Sequence, residues 1–197
     1  VWDGQLTEPI QQPLPPLLEN TVRIPANLTD EDFIPHIKGN GKHRFHAMNL
    51  SNVTDTRLTS VELMVENGQV KFPLPKGIAL AAVLGRHGQG NPPSLAFVTG
   101  FPIQKGAVAS TVSHDSHNLV LIGKHPGDML HAVQTLVELG GGLTVVSDQK
   151  VLASLPLPIA GLLSPLSVVD VARQEAAVKA SLAALGLPEE ATAALLF

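Results

Sequence analysis

The sequence predicts an α+β domain in which a mixed, largely buried β-sheet has two helices, late in the chain, packed on it. Three observations support this class. Apolar segments of strand length recur between residues 43 and 123, a clear helical repeat follows them, and a second helical segment comes near the end. With 197 residues, 44% of them apolar, the chain is long enough for one domain with a substantial core.

The first strands are predicted from an alternation of apolar and polar residues. "HRFHAMNL" (43–50) and "RLTSVELMV" (57–65) place apolar residues near a period of two, which is typical of half-buried strands. "ENGQ" (66–69) predicts a hairpin turn, because Asn-Gly accepts positive φ. "VKFPL" (70–74) is then expected to form the returning strand.

Further strands are predicted from nearly continuous apolar runs, which indicate a sheet covered on both faces. These runs are "IALAAVLGRHG" (78–88), "SLAFVTGF" (94–101), "GAVASTV" (106–112) and "NLVLIG" (118–123). "LTVVSDQKVLASLPL" (143–157) predicts a hairpin that turns at Ser147 to Gln149.

The first helix is predicted from Asp128 to Leu139, after Pro126 and before the glycine triplet 140–142. Its apolar residues recur at helical spacing: Met129, Ala132, Val133, Leu136 and Val137.

The second helix is predicted to begin at Ser167, with Asp170 completing a variant of the capping box. It is expected to continue to about Leu185, because Gly186 and Pro188 follow.

Residues 1–37 are predicted to be a linker together with the end of a preceding small β-domain, and residues 38–197 to form the α+β domain. "VWDGQL" looks like the last turn of such a domain, and the proline-rich "TEPIQQPLPPLL" (7–18) suits a stiff spacer. "NLTDEDFIPHI" (27–37) predicts a short helical turn capped by Thr29 or Asp30.

Composition excludes several classes of protein. A net charge of -4 with 15% charged residues gives no basic surface, so we expect neither nucleic acid nor a membrane as partner. The apolar runs are shorter than the roughly 20 residues of a bilayer span, and the first residues do not resemble a signal peptide. The absence of cysteine excludes disulfides and deaminase zinc sites built on cysteine, and favours a cytoplasmic protein.

A polar cluster interrupts two apolar strands in "ASTVSHDSHNLVLIG" (109–123). His114, Asp115, Ser116 and His117 can transfer protons or hold a polar ligand, and a loop on a rigid sheet often presents such groups. Asp and Ser also favour ordinary turns, so an active-site loop and a polar turn are both open. The same His-x-x-His spacing occurs at His43 and His46, where a strand would direct the two rings to opposite faces.

Two other segments are weaker candidates. "GRHGQGN" (85–91) lacks the motifs of phosphate-binding loops, so a surface turn is favoured, with Arg86 and His87 as candidate contacts to a partner or ligand. "LPLPIAGLLS" (155–164) is apolar and is expected to be either packed or an interface. No nucleophile elbow is present, and we assign no catalytic residue in this chain.

Taken together, the motifs resemble the C-terminal domain of adenine deaminase, a member of the amidohydrolase superfamily. The most specific are "VSHDSHN" (112–118), "LPLPIAGLLS" and the glycine triplet 140–142. The similarity extends from about Val1 to Leu196 and is densest from Arg86 to Ser164. "GNPPSLAF" (90–97) departs from a glycine-rich run of the family, and "LPEEATAALLF" (187–197) is shorter than its closing stretch.

This resemblance implies hydrolysis of adenine to hypoxanthine and ammonia by hydroxide bound to a divalent metal (manganese, iron or zinc) in a barrel domain. That metal site begins with a His-x-His pair, and none of the eight histidines here is two residues from another. The chain alone is therefore expected to bind no metal and to be inactive.

The resemblance also implies partners and a candidate loop. Adenine or a related purine, the barrel domain and further copies in a homo-oligomer are the expected partners. The loop residues expected to meet the purine are His114, Asp115, Ser116, His117 and Asn118. The alternatives are a non-catalytic ligand-binding or interaction domain that keeps the scaffold, and a free-standing hydrolase using His117 and a nearby serine.

Overall fold

The computed structural model describes residue 18, residues 21–51 and residues 56–188. Within them lie nine β-strands and two α-helices. The strands are β1 (Gly41–Asn49), β2 (Arg57–Glu66), β3 (Gln69–Val70), β4 (Ile78–Leu84), β5 (Ser94–Thr99), β6 (Ala107–Ser110), β7 (Leu119–Gly123), β8 (Gly142–Ser147) and β9 (Lys150–Pro156). The helices are α1 (Pro126–Glu138) and α2 (Val168–Leu182). None of the helices in these described ranges is long and apolar enough to span a lipid bilayer.

A single mixed sheet contains all nine strands, in the order β3-β2-β1-β5-β4-β7-β6-β8-β9. β1 and β5 pair in parallel, and every other pair of neighbours is antiparallel. With two helices following most of the strands, the architecture confirms the predicted α+β class.

The central strands are buried on both faces because the two helices lie on opposite sides of the sheet. In β6, Ala107 and Ala109 belong to the core that contains α1, whereas Val108 belongs to the core that contains α2. Every residue of β6 and β8 is buried. The continuous apolar runs of these strands are therefore explained by cover on both faces, as predicted.

Both predicted helices are present, and their ends differ slightly from the predicted ones. The predicted apolar stripe of α1 is buried from Met129 to Leu136, and the helix begins at Pro126, two residues earlier than expected. In α2 the Ser167 hydroxyl accepts a hydrogen bond from the Asp170 amide at 3.2 Å. The helix ends at Leu182, and a 3-10 turn continues to Leu185.

The two predicted hairpin turns are present. Asn67 has φ of 55° and Gly68 of 79°, and Asp148 and Gln149 have φ of 54° and 56°. The strand expected at 70–74 is wrong in length, since β3 contains only Gln69–Val70. Prolines at positions 73 and 75 have no amide hydrogen and cannot extend the ladder.

The segment 21–37 packs against the sheet rather than standing apart from it. Val22 and Phe33 are buried in the core that contains α1. Phe33 closes the 3-10 turn Asp30–Phe33, which Thr29 caps as predicted. The boundary between linker and domain at residue 37 stays a prediction, and residues 1–17 lie outside the described residues.

A buried lysine joins the end of β7 to the segment before β4. Lys124 is only 6% exposed. Its ammonium group donates to the carbonyl oxygens of Leu74, Pro75 and Ile78 at 2.9, 2.7 and 2.6 Å. Burial lowers the pKa of Lys124 from its usual 10.5, while the three carbonyl oxygens favour the charged form.

Replacing Lys124 by Met tests this connection. Three buried carbonyl oxygens would lose their donor, so we expect the free energy of unfolding to fall by about 1–3 kcal/mol. Because the unfolded chain binds the Lys124 proton more tightly, wild-type stability should rise with pH between the folded-state pKa and 10.5. The variant should lack this rise in urea unfolding curves. Lys105→Met, at an exposed lysine, is the control, and equal losses in both variants would contradict the expectation.

Candidate functional site

The β6–β7 loop (residues 111–118) folds as a tight turn with an exposed apex. The amides of Ser116 and His117 both donate to the Ser113 carbonyl oxygen, at 3.0 and 2.7 Å. Positive φ angles at Ser113 (26°) and His117 (50°) close the turn. His114, Asp115, Ser116 and His117 are exposed, and Asn118 is half-buried. The predicted cluster is therefore accessible to a ligand from solvent.

The His117 ring has a defined orientation and tautomer. Its Nδ1 lies 3.0 Å from the Val112 carbonyl oxygen. A carbonyl oxygen only accepts hydrogen bonds, so Nδ1 must carry the hydrogen. In the neutral ring Nε2 is then unprotonated. His117 can thus offer an acceptor, or a base, to a ligand above the loop.

The other polar groups of the loop interact locally. His114 Nδ1 lies 3.1 Å from an Asp115 carboxylate oxygen, but both side chains are more than half exposed, so this pair contributes little stability. The hydroxyls of Ser113 and Ser116 are 3.2 Å apart. The apex therefore presents imidazoles, a carboxylate and an amide that suit hydrogen bonding to a polar ligand.

Arg86 lies beneath the loop because of the register between β4 and β7. Leu84 pairs with Leu119 in this antiparallel ladder. Arg86, two residues after β4, therefore lies opposite His117, two residues before β7. There the Nε of Arg86 donates to the His117 carbonyl oxygen. Arg86 is 1% exposed, and burial lowers the pKa of its guanidinium, although an arginine stays protonated in proteins.

A third segment, the β9–α2 connection (residues 157–167), closes the base of the loop. The Thr111 hydroxyl donates to the Gly161 carbonyl oxygen at 2.7 Å and accepts from the Gly142 amide at 2.8 Å. Gly161 also packs on Arg86, since a Cβ at this position would lie 2.6 Å from Nη1 of that arginine. The stretches that carry the sequence resemblance thus meet at one junction.

The glycine triplet ends α1 as predicted and also makes room for this junction. α1 ends at Glu138, and Gly140 has φ of 72°. A Cβ on Gly141 would lie 2.5 Å from the Gly161 Cα. The neighbouring segment 155–164 is packed at Leu157 but 63% exposed at Leu163. The segment is therefore packed in part, and its role as an interface stays a prediction.

The structure separates the other candidates from the loop apex. His87 is exposed, and its segment is tied to residue 23 through hydrogen bonds from Arg23 to the Arg86 carbonyl and from Gly88 to the Arg23 carbonyl. His43 and His46 occupy β1, pairing with Leu63 and Ser60 on opposite faces of the sheet. This agrees with the prediction that their spacing brings no rings together.

One contact of the junction has no signal in the sequence. Thr111 and Gly161 both lie in segments that the sequence singles out, but their contact joins positions 50 residues apart, which no local pattern predicts.

In the described part of the chain, no group of three or more His, Asp or Glu side chains could hold a metal ion. The metal that the resemblance implies therefore does not fit these residues.

Comparison with known sequences gives the family. The profile described as adenine deaminase C-terminal domain matches residues 53–197, which include the β6–β7 loop and the whole junction. The chain belongs to this family. The family resemblance of the sequence motifs is thereby confirmed.

Individual relatives extend the match. Adenine deaminase 1 of Latilactobacillus sakei is 36% identical over 186 residues, which cover 93% of this chain and 31% of the relative. The adenine deaminase of Moorella thermoacetica is 47% identical over 132 residues, covering 67% of this chain and 22% of the relative. The adenine deaminase of Oleidesulfovibrio alaskensis is 41% identical over 168 residues, which cover 85% of this chain and 29% of the relative. The chain thus spans less than a third of these relatives, in agreement with a domain of a longer enzyme.

Replacing Gly161 by Ala tests the contact with Arg86. Gly161 and Gly90 both have φ of +70°, but a Cβ on Gly90 would meet no atom within 4 Å. Both alanine variants share the strain of the left-handed conformation, about 1–2 kcal/mol. We expect Gly161→Ala to lose about 1–3 kcal/mol more in chemical unfolding, because it crowds a packed group. Equal losses would show that the contact with Arg86 does not contribute.

Proposed function

We propose that this adenine deaminase C-terminal domain works within an enzyme that hydrolyses adenine to hypoxanthine and ammonia, and that its β6–β7 loop binds the purine. The observation that supports this most is the exposed apex of that loop on a buried, hydrogen-bonded base. Ordinary surface turns also expose polar side chains, but here four of them are consecutive and their backbone is held from below by a buried arginine. A ligand-binding loop needs both features.

The chemistry of adenine matches the groups that the loop presents. Adenine carries an amino donor beside a ring-nitrogen acceptor, and the amide of an asparagine can bond to both. Asn118 is the residue proposed for this contact. The unprotonated Nε2 of His117 would accept a hydrogen bond from a ring N–H. His114, Asp115 and Ser116 complete the polar surface, and Arg86 acts from below rather than by direct contact.

The remaining parts of the enzyme are proposed to lie outside this chain. The described residues offer no site for the divalent metal, so we assign manganese, iron or zinc to an amidohydrolase barrel in the complete protein. Assembly as a homo-oligomer and a cytoplasmic location belong to the same proposal. The exposed leucine at position 163 and the exposed valines 168 and 169 offer an apolar surface for such contacts.

The same observations bear on the alternatives. A ligand-binding or interaction domain without catalysis would keep the loop and the apolar surface but would lack an upstream barrel. The parent reading frame decides this, because a His-x-His barrel before this chain supports the enzyme. A free-standing hydrolase would need a serine activated by His117, whereas the hydroxyls of Ser113 and Ser116 lie against each other.

Changing His117 to Ala in the complete enzyme tests the role of the loop. The side chain is exposed, so its loss should leave the melting temperature nearly unchanged. Removal of one group that orients a ligand can lower turnover about 10²-fold. His46→Ala, at an exposed histidine on β1, is the control and should retain activity. A His117 variant that melts early but deaminates adenine normally would make the loop a structural turn.

The chain by itself is expected to fold and yet not to deaminate adenine. Its central strands are buried and both helices pack on its own cores, whereas the described residues provide no metal site. Ammonia release should therefore equal that of a metal-only blank when manganese, iron or zinc is added. Release above this blank would show that the barrel is not required.

A further inference from the structure

We propose that Arg86 is a positioning residue for the β6–β7 loop, holding the His117 backbone so that His117 and Asn118 face the purine. This inference rests on the proposed function of the loop. Arg86 does not reach the ligand itself, because it is 1% exposed. It acts through the carbonyl oxygen of His117, which its Nε binds from below.

The backbone at His117 needs such an anchor. Its φ of 50° lies in the left-handed region, which residues with a Cβ disfavour. Two backbone hydrogen bonds hold this residue: its amide donates to the Ser113 carbonyl oxygen, and its carbonyl accepts from Arg86. Since the next residue is Asn118, the anchored peptide determines the direction of both proposed ligand contacts.

The surroundings of Arg86 indicate a function beyond packing. Among the described residues, its Nη1 has no hydrogen-bond acceptor. A buried guanidinium with an unpaired N–H is costly for folding, and an apolar side chain would fill the space without this cost. The chain nevertheless places a charge there, with Gly161 leaving room for the Nη1 atom. The guanidinium supplies a rigid, directed donor to the loop, which an apolar side chain could not supply.

A double-mutant cycle in the complete enzyme distinguishes positioning from packing. We expect Arg86→Lys to lower kcat/KM for adenine about 10- to 100-fold, because a small misplacement of binding groups is sufficient. If Arg86 acts through the loop, the same change should cost a smaller factor in the His117→Ala variant, where only the Asn118 contact is left to misplace. Equal factors in both backgrounds, or a lower melting temperature with normal kcat/KM, would overturn the inference.

Thr111→Val is the matched structural control. It removes the hydroxyl that joins Gly161 to Gly142 but leaves the bond between Arg86 and His117 in place. We expect this variant to lower the melting temperature. Its effect on kcat/KM for adenine, expressed as a free energy, should add to that of His117→Ala. If His117→Ala alone is fully active, the proposed function of the loop is wrong, and the inference about Arg86 is wrong with it. Loss of activity in His117→Ala but not in Arg86→Lys would overturn only the inference.

Hydrogen exchange of the 197-residue chain gives a readout that does not depend on activity. In Arg86→Lys the amides of Ser116 and His117 should exchange at least about tenfold faster, whereas those of β7 should not change. Gly161→Ala, which crowds the same guanidinium, serves as a second variant if the first does not fold. Unchanged loop amides in a folded variant would overturn the inference.

Discussion

Burial of the central strands on both faces is the constraint on which the other features of this domain depend. α1 and α2 cover opposite sides of β6 and β8, so every side chain of these strands must be apolar or internally bonded. Polar groups can then be accessible only where the strands end. The β6–β7 loop is such an end, and it is held by strands whose register cannot slip without exposing the core.

The same register places a charge below the loop. Because Leu84 pairs with Leu119, Arg86 arrives opposite His117 after the ladder ends. The guanidinium bonds to a backbone carbonyl there instead of to a carboxylate. A hydrogen bond from a charged donor contributes about 1.5–3 kcal/mol, which is comparable to the strain of the left-handed residue that it holds. The loop apex can therefore be exposed and still have one defined conformation.

Family membership and geometry support the function at different levels. Adenine deaminase relatives that extend well beyond this chain indicate a domain that works with other parts of an enzyme. Among the described residues no group of three or more His, Asp or Glu side chains could hold a metal ion. The packed and exposed halves of the β9–α2 connection are suited to a domain that meets another surface.

The sequence by itself determined the strands, both helices, the hairpin turns and the polar loop, because each depends on a local period or a turn residue. Its motifs also determined the family. Only the tertiary structure decided which helix covers which face, and that Arg86, His117, Thr111 and Gly161 meet. Those contacts join residues 31 and 50 positions apart. They depend on strand order and register, which follow from burial of the whole sheet and have no local signature.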